Sequence, residues 1–170
     1  MTSRMIRWVV PLLLLVPLGV GVAVAASSSS SAAGTVKTAK STTFGTILVG
    51  AKGRTLYRYT VDGKNANRCT SDAACNKYWP PLLVKAGAKP TAGAGANASM
   101  LGTIRAKNGL RQVTYAGWPL YTFIGDSAAG QTKGQAFEKE WYVVNTAGGL
   151  VKRAVATPTP TTTTGGAAWG

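Results

Sequence analysis

The sequence predicts an all-β domain: a small antiparallel meander or sandwich-like fold built from two pseudo-repeats, with at most one short helix. The first observation is that the pattern L-Y-x-aromatic-x-x-D occurs twice, at residues 56–62 and 120–126. This indicates an internal repeat. The second is that short apolar and aromatic segments alternate with tight-turn signals, of which Asn108-Gly109 is the strongest for a hairpin. The third is that helix signals are sparse, so short turns must join most elements.

The strands and the helix are expected around these turn signals. The predicted strands are 103–106 and 110–115 beside the Asn108-Gly109 turn, then 118–123, 141–145 and 150–153. Ser71-Asp72 is suited to cap a helix, and Pro80-Pro81 would stop it. We therefore expect one short helix that reaches Tyr78.

The two pseudo-repeats share four features in the same order. Both contain the pattern L-Y-x-aromatic-x-x-D, and Trp79 and Trp141 follow it at similar distances. Upstream, residues 45–47 and 102–104 both read Gly-Thr-Ile. Two copies are too few for a solenoid, so we expect one pseudo-symmetric domain in which each copy covers the apolar face of the other.

The first 25 residues have the features of a secretory signal peptide. Arg4 and Arg7 precede an uncharged apolar run, and Ala23-Val24-Ala25 matches the small-x-small pattern that signal peptidase recognises. We therefore expect a secreted or cell-envelope protein. An uncleaved signal anchor is the alternative, because the apolar run is long for a signal peptide. No cysteine directly follows the run, so a lipid-attachment residue is not expected.

Composition divides the rest of the chain. Ser, Ala and Thr dominate one stretch, Ala and Gly another, and Pro and Thr the end of the chain. The expected segments are a flexible lead at 26–42, a two-repeat domain at 43–153 with repeats at about 44–85 and 101–153, a linker at 86–99, and a disordered tail at 154–170.

Charge restricts the function classes. The chain has 19 Lys and Arg, 5 Asp and Glu, no His and a formal net charge of +14. Without His, Ser-His-Asp triads and His-ligated metal or haem sites are excluded, and we expect no metal and no cofactor. The cations are scattered, which disfavours nucleic acid. In an exported protein they favour an envelope polyanion, a glycan or a membrane surface as partner, although they can also serve solubility alone.

Cys69 and Cys75 are spaced C-x5-C in a chain with an export signal. A structural disulfide is expected in that setting. A loop this short stabilises by roughly 2–2.5 kcal/mol in the chain-entropy estimate. A redox pair is the alternative, but the spacing lacks the C-x-x-C form typical of redox dithiols.

The motif aromatics and aspartates admit two interpretations. Tyr57 and Tyr59 lie at i and i+2, on one face of a strand. They can pack between the repeats while Asp62 caps a turn, or they can form an aromatic face with one carboxylate for a sugar ring or planar ligand. The candidate binding residues are Tyr57, Tyr59, Asp62, Tyr121, Phe123, Asp126, Trp79 and Trp118.

These residues resemble a known family. Two copies of Y-x-[FWY]-x-x-D, the two cysteines, Trp79-Pro80-Pro81-Leu82 and Gly117-Trp118-Pro119-Leu120 are similar to the bacterial secreted-repeat family, predicted lipoproteins that carry this motif. The resemblance covers about residues 44–153. It implies an envelope or extracellular protein and no established activity. Many members carry a lipid-attachment cysteine, which this chain lacks.

We expect an exported, non-catalytic module that binds an anionic polymer, glycan or surface. One alternative is an extracytoplasmic enzyme or redox accessory that uses Asp62, Asp126 and the motif tyrosines; another is a purely structural surface protein. No catalytic residue is assigned. Carboxylates converging in a cleft would favour the enzyme, and aromatics buried between the repeats would favour the structural role.

Overall fold

The computed structural model describes residues 33–153, so the predicted signal peptide, residues 26–32 of the expected lead and the whole of the expected tail at 154–170 lie outside the described residues. The predicted all-β class is confirmed, with one α-helix among the described residues. The elements are β1 (Thr35–Ser41), β2 (Gly45–Gly50), β3 (Tyr57–Tyr59), α1 (Ala73–Tyr78), β4 (Leu83–Val84), β5 (Thr91–Ala92), β6 (Leu101–Arg105), β7 (Arg111–Tyr115), β8 (Trp118–Pro119) and β9 (Trp141–Val143). Every named pair of strands is antiparallel except β1–β5, which is parallel.

Each copy begins with an antiparallel hairpin, so the first copy includes β1, which precedes the expected repeat at about 44–85. β1 pairs with β2, and β6 pairs with β7, whose turn contains Asn108 and Gly109 at φ 56° and 70°. The predicted hairpin at that dipeptide is therefore confirmed. β1 corresponds to β6 and β2 to β7. The Gly-Thr-Ile match was consequently wrong as a repeat equivalence, because residues 45–47 lie in β2 and residues 102–104 in β6.

The copies complete each other's sheets. The amide of Val113 in β7 donates to the carbonyl of Leu82 from the first copy, at 2.8 Å, and the amide of Leu48 in β2 donates to Val144 from the second copy, also at 2.8 Å. Tyr57 and Tyr121 exchange two backbone hydrogen bonds, at 2.9 and 3.1 Å, where the copies meet. Buried apolar residues of both copies also share each of the two hydrophobic clusters, so the expected mutual coverage of apolar faces is confirmed.

Two hydrophobic clusters lie on opposite sides of these central segments. Adjacent side chains on an extended chain point to opposite faces, so Leu56 and Leu120 enter one cluster while Tyr57 and Tyr121 enter the other. The aliphatic cluster contains Val36, Leu48, Leu56, Val84, Val113, Tyr115, Leu120 and Val144. The aromatic cluster contains Ile47, Val49, Tyr57, Cys69, Trp79, Tyr121, Trp141 and Val143.

Ordered structure extends into the segment that the sequence predicts to be a flexible lead and into the one that it predicts to be a linker. β1 lies within the expected lead at 26–42, because Val36 is completely buried in the aliphatic cluster and the strand pairs along its length with β2. β5 lies within the expected linker at 86–99 and pairs with the start of β1. In both segments, backbone pairing with a distant part of the chain overrides a composition typical of linkers.

The local signals around α1 are confirmed. The Asp72 carboxylate accepts hydrogen bonds from the amides of Ala74 and Cys75, at 2.7 and 3.3 Å, which caps the helix. The Cys69–Cys75 disulfide is present and fastens the segment before α1 to the helix. α1 ends at Tyr78 and is followed by Pro80.

Candidate functional site

The motif tyrosines and aspartates form a reciprocal set of hydrogen bonds between the copies. The Tyr57 hydroxyl donates to Asp126 Oδ2 at 2.6 Å, and the Tyr121 hydroxyl donates to Asp62 Oδ2 at 2.8 Å. Each tyrosine therefore binds the aspartate of the other copy. We call these four residues the Tyr–Asp clasp. Three of them are fully buried and Asp62 is 6 % exposed.

The clasp aspartates also hold the chain that follows them. Asp62 Oδ1 accepts from the amide of Arg68 at 2.6 Å, and Asp126 Oδ1 accepts from the amide of Lys133 at 2.8 Å. Burial raises the pKa of Asp62, while the Arg68 amide and the Tyr121 hydroxyl oppose that rise. Each carboxylate thus closes a loop within its own copy and binds a tyrosine from the other.

The electrostatics of the clasp keep its tyrosines protonated. Burial raises the pKa of Tyr57 far above its usual value, and the hydrogen bond to Asp126 adds to the rise. Burial and the negative charge of Asp62 raise the pKa of Tyr121 in the same way. A phenol that donates to a carboxylate in a buried site resists ionisation, so neither tyrosine is poised to act as a base near neutral pH.

Four aromatic rings form a continuous stack that alternates between the copies. Tyr59 stacks on Trp141 with ring centroids 4.4 Å apart, Trp141 on Trp79 at 3.9 Å, and Trp79 packs on Phe123 at 4.4 Å. The two tryptophans are only 2 % exposed, whereas Tyr59 and Phe123 at the ends are half-buried. We call these four residues the aromatic stack.

Trp118 lies apart from the stack and is covered by a cation of the same chain. The Arg58 guanidinium stands 3.7 Å from the Trp118 ring centroid and donates through Nη1 to the Gly148 carbonyl at 2.6 Å. Burial lowers the pKa of Arg58 to about 10, which leaves it charged at neutral pH. The π-face of Trp118 is thus already engaged by an internal cation–π contact.

The structure therefore brings seven of the eight predicted binding residues together, and all seven belong to the clasp or the stack. Their burial between the copies favours the structural interpretation of the motif. A direct role of these residues in ligand binding stays a prediction, and Tyr59 and Phe123 are the two stack rings with substantial exposure.

A cavity of about 330 Å³ opens at the Tyr59 end of the stack. It lies between α1 and the loop that follows the second clasp aspartate. We call it the acidic aromatic pocket. Its lining residues are Tyr59, Asp72, Ala74, Cys75, Tyr78, Trp79, Phe137, Glu138 and Trp141. Sequence reasoning missed Tyr78, Phe137 and Glu138; an available signal was the clustering of aromatic and acidic residues at 137–141 in a chain poor in carboxylates.

A second surface carries only positive charge. β4 and β6 end, and β7 begins, at one edge of their sheet, where Arg105 and Arg111 face each other across the β6–β7 ladder. Lys85 follows β4, which pairs with β7 at Arg111, and Lys107 lies in the hairpin turn. We call Lys85, Arg105, Lys107 and Arg111 the basic edge. No Asp or Glu occurs anywhere from residue 73 to residue 125.

Within residues 33–153, no helix combines the length and the apolar character needed to cross a membrane.

A protein-family model described as a secreted repeat of unknown function matches residues 38–83 and 102–145. The two matched segments together cover more than half of the chain, and each contains one copy of the tyrosine and aspartate of the clasp. No curated protein and no solved structure matches.

Proposed function

The chain belongs to the family of secreted repeats of unknown function, and from that premise we propose that it is a non-catalytic binding module for an anionic polymer of the cell envelope. The general class of ligand, an anionic polymer, glycan or surface, follows from the positive charge of an exported chain. The basic edge supports the polymer within that class, and it supplies the residues that would bind.

The observation that carries the proposal is the Arg105–Arg111 pair. Like charges directly opposite each other on a sheet destabilise it. The guanidinium of Arg111 is held in place by hydrogen bonds from its Nε and Nη2 to the Thr103 hydroxyl and carbonyl, both at 3.0 Å. An anion at this position would remove the repulsion, because guanidinium groups bind phosphate and carboxylate oxygens with two parallel hydrogen bonds.

The number and arrangement of the cations support a polymer over a single anion. Four cations lie at one end of the sheet, on the ends of β4 and β6, the start of β7 and the turn between them. A chain of repeating anionic groups contacts several of them at once, so weak, salt-screened contacts add up by multivalency.

The clasp aspartates support a non-catalytic role. Asp62 and Asp126 are the only carboxylates in the motif, and each already accepts hydrogen bonds from a tyrosine of the other copy and an amide of its own. Their exposed fractions of 6 % and 0 % leave little room for a substrate. Catalysis by this pair is therefore the less favoured alternative.

The test is binding to polyphosphate and to isolated cell envelopes across a salt series. We expect binding that weakens with salt, and a loss of about tenfold or more in the R105Q/R111Q variant, because two charge-assisted contacts disappear. The matched control is K37Q/K40Q, which removes two charges from the equivalent hairpin of the first copy. Equal losses in both variants would indicate net charge alone, and no binding at low salt would refute the proposal.

A further inference from the structure

We propose that the acidic aromatic pocket binds a small organic ammonium ligand, in which an alkylated or primary ammonium group contacts aromatic rings and carboxylates. This site is separate from the basic edge and has the opposite charge preference. It therefore goes beyond the proposed function and is tested independently of it.

The walls of the pocket present aromatic surface to solvent. Tyr78 is 51 % exposed and Phe137 is 42 % exposed, although large aromatic side chains usually bury most of their surface. Phe137 is nevertheless held in position, because its ring packs 5.7 Å from Trp79 and 5.8 Å from Phe123. The floor comprises the Tyr59 end of the aromatic stack. Exposed rings on a fixed base form a preorganised surface for a cation.

The charged residues that line the pocket are acidic, although the chain as a whole is strongly basic. Only five carboxylates occur in a chain of net charge +14, and two of them belong to the clasp. Asp72 and Glu138 line the pocket, and the side chain of Glu140 interacts with Tyr59 at its edge. The described lining includes no Lys or Arg. Two of the three carboxylates outside the clasp thus line this cavity and the third interacts with one of its lining residues, which favours a positively charged occupant.

One aromatic residue of the pocket wall already makes a cation–π contact within the protein. The Lys77 ammonium lies 5.9 Å from the centroid of the Tyr78 ring, within the range of a cation–π interaction. Lys77 itself does not line the cavity. The volume of about 330 Å³ is at the small end of ligand pockets. A trimethylammonium or alkylammonium head group with a short chain fits this size.

The first experiment is an NMR titration of the full exported chain with choline at constant ionic strength. The comparison ligand is its neutral isostere, in which a tert-butyl group replaces the trimethylammonium group. We expect saturable shifts at the indole N–H signals of Trp79 and Trp141, with choline binding about tenfold more tightly than the isostere. Equal affinities, no saturation in the millimolar range, or shifts confined to other residues would each overturn the proposal.

The second experiment distinguishes a role of the carboxylates in ligand binding from a role in stabilising the fold. In the D72N/E138Q variant the asparagine keeps an oxygen that can cap α1, and we expect choline affinity to fall about tenfold with the melting temperature nearly unchanged. K139Q is the matched control, because Lys139 adjoins Glu138 without lining the pocket; it should retain full affinity. Retained affinity in D72N/E138Q would refute the role of the carboxylates. The R105Q/R111Q variant should bind choline normally, so failure of one proposal is distinguishable from failure of the other.

Discussion

The two copies share a framework and differ in the segments attached to it. In the first copy, residues 63–78 between Asp62 and Trp79 contain a disulfide and α1. In the second copy, residues 127–140 between Asp126 and Trp141 contain no cysteine and no helix. The shared residues form the clasp and the stack, whereas the unlike segments form the walls of the acidic aromatic pocket. The residues common to both copies therefore form the centre of the fold, and the segments that differ form the pocket that we propose as a ligand site.

The segment of the second copy is held by amide side chains in place of a covalent bond. Gln131 Oε1 accepts from the amide of Ser127 at 2.7 Å, and Gln135 bridges Val143 and Val151 at 2.9 and 2.7 Å. This segment also contains three non-glycine residues with positive φ: Ala136, Glu138 and Lys139. Such backbone is sparsely populated and persists only where surrounding contacts enforce it. A disulfide in the first copy and hydrogen bonds from side-chain amides in the second thus hold equivalent loops against the same aromatic stack.

The largest expected effect comes from breaking the shared framework at its centre. Replacing Trp79 or Trp141 by Ala should destabilise the protein by about 3–5 kcal/mol, because each ring is buried and stacks on two others. Urea unfolding measures the loss. Similar losses for W79A and W141A would show that the equivalent tryptophans of the two copies contribute equally to the free energy of unfolding. A loss below about 1 kcal/mol in either variant would contradict the central role of the stack.

The next effect should separate the copies. The C69S/C75S variant should lose roughly 2–2.5 kcal/mol, because the closed loop no longer restricts the unfolded chain. Hydrogen exchange should accelerate in residues 63–78 while protection in residues 127–140 stays the same, since the second segment has its own hydrogen bonds. The wild-type protein treated with reductant is the control. Equal loosening of both segments would show that they are not independent.

The sequence predicted the local features of this comparison and missed those that depend on distant residues. The Asp72 cap, the hairpin at Asn108 and the Cys69–Cys75 disulfide each follow from neighbouring residues, and the structure confirms them. The exchange of Tyr57 and Tyr121 between copies could not be predicted, because hydrogen-bond partners 59 and 69 residues apart leave no local signature. β1 was missed for the same reason, because the burial of Val36 and the pairing of the strand with β5 depend on residues far away in the sequence.

A third prediction tests whether the two halves of the clasp titrate alike. The pKa values of Tyr57 and Tyr121 are raised in the folded state. The contribution of the two phenols to the free energy of unfolding is therefore complete below the ordinary tyrosine pKa of about 10. It is lost as pH rises above that value, by up to about 1.4 kcal/mol per pH unit for each tyrosine. Unfolding in urea between pH 9 and pH 11, values either side of the tyrosine pKa of about 10, measures this slope.

The Tyr-to-Phe variants are the controls for this slope. Y57F and Y121F should each remove the contribution of one tyrosine to the pH dependence of the free energy of unfolding. In the double variant, tyrosine ionisation should no longer contribute to that dependence. An unchanged slope in the double variant would show that other groups cause the alkaline loss. Unequal effects of Y57F and Y121F on the slope would mean that the two tyrosines are equally buried but have different electrostatic surroundings, since Asp126 is fully buried and Asp62 is not.

The smallest effect concerns the hairpins, where the copies differ in charge. Arg105 faces Arg111 across β6–β7, whereas the equivalent Lys40 faces Thr46 across β1–β2. R105T should therefore gain about 0.5 kcal/mol in stability by removing a like-charge pair, and K40T should gain nothing from this source. Thermal unfolding at low salt measures the difference, which high salt should erase. If R105T is stabilised and also binds polyphosphate more weakly, the second copy retains a repulsive pair that costs stability and serves binding. If R105T is destabilised, Arg105 contributes to the hairpin itself, and the charge pair is no evidence for an anion.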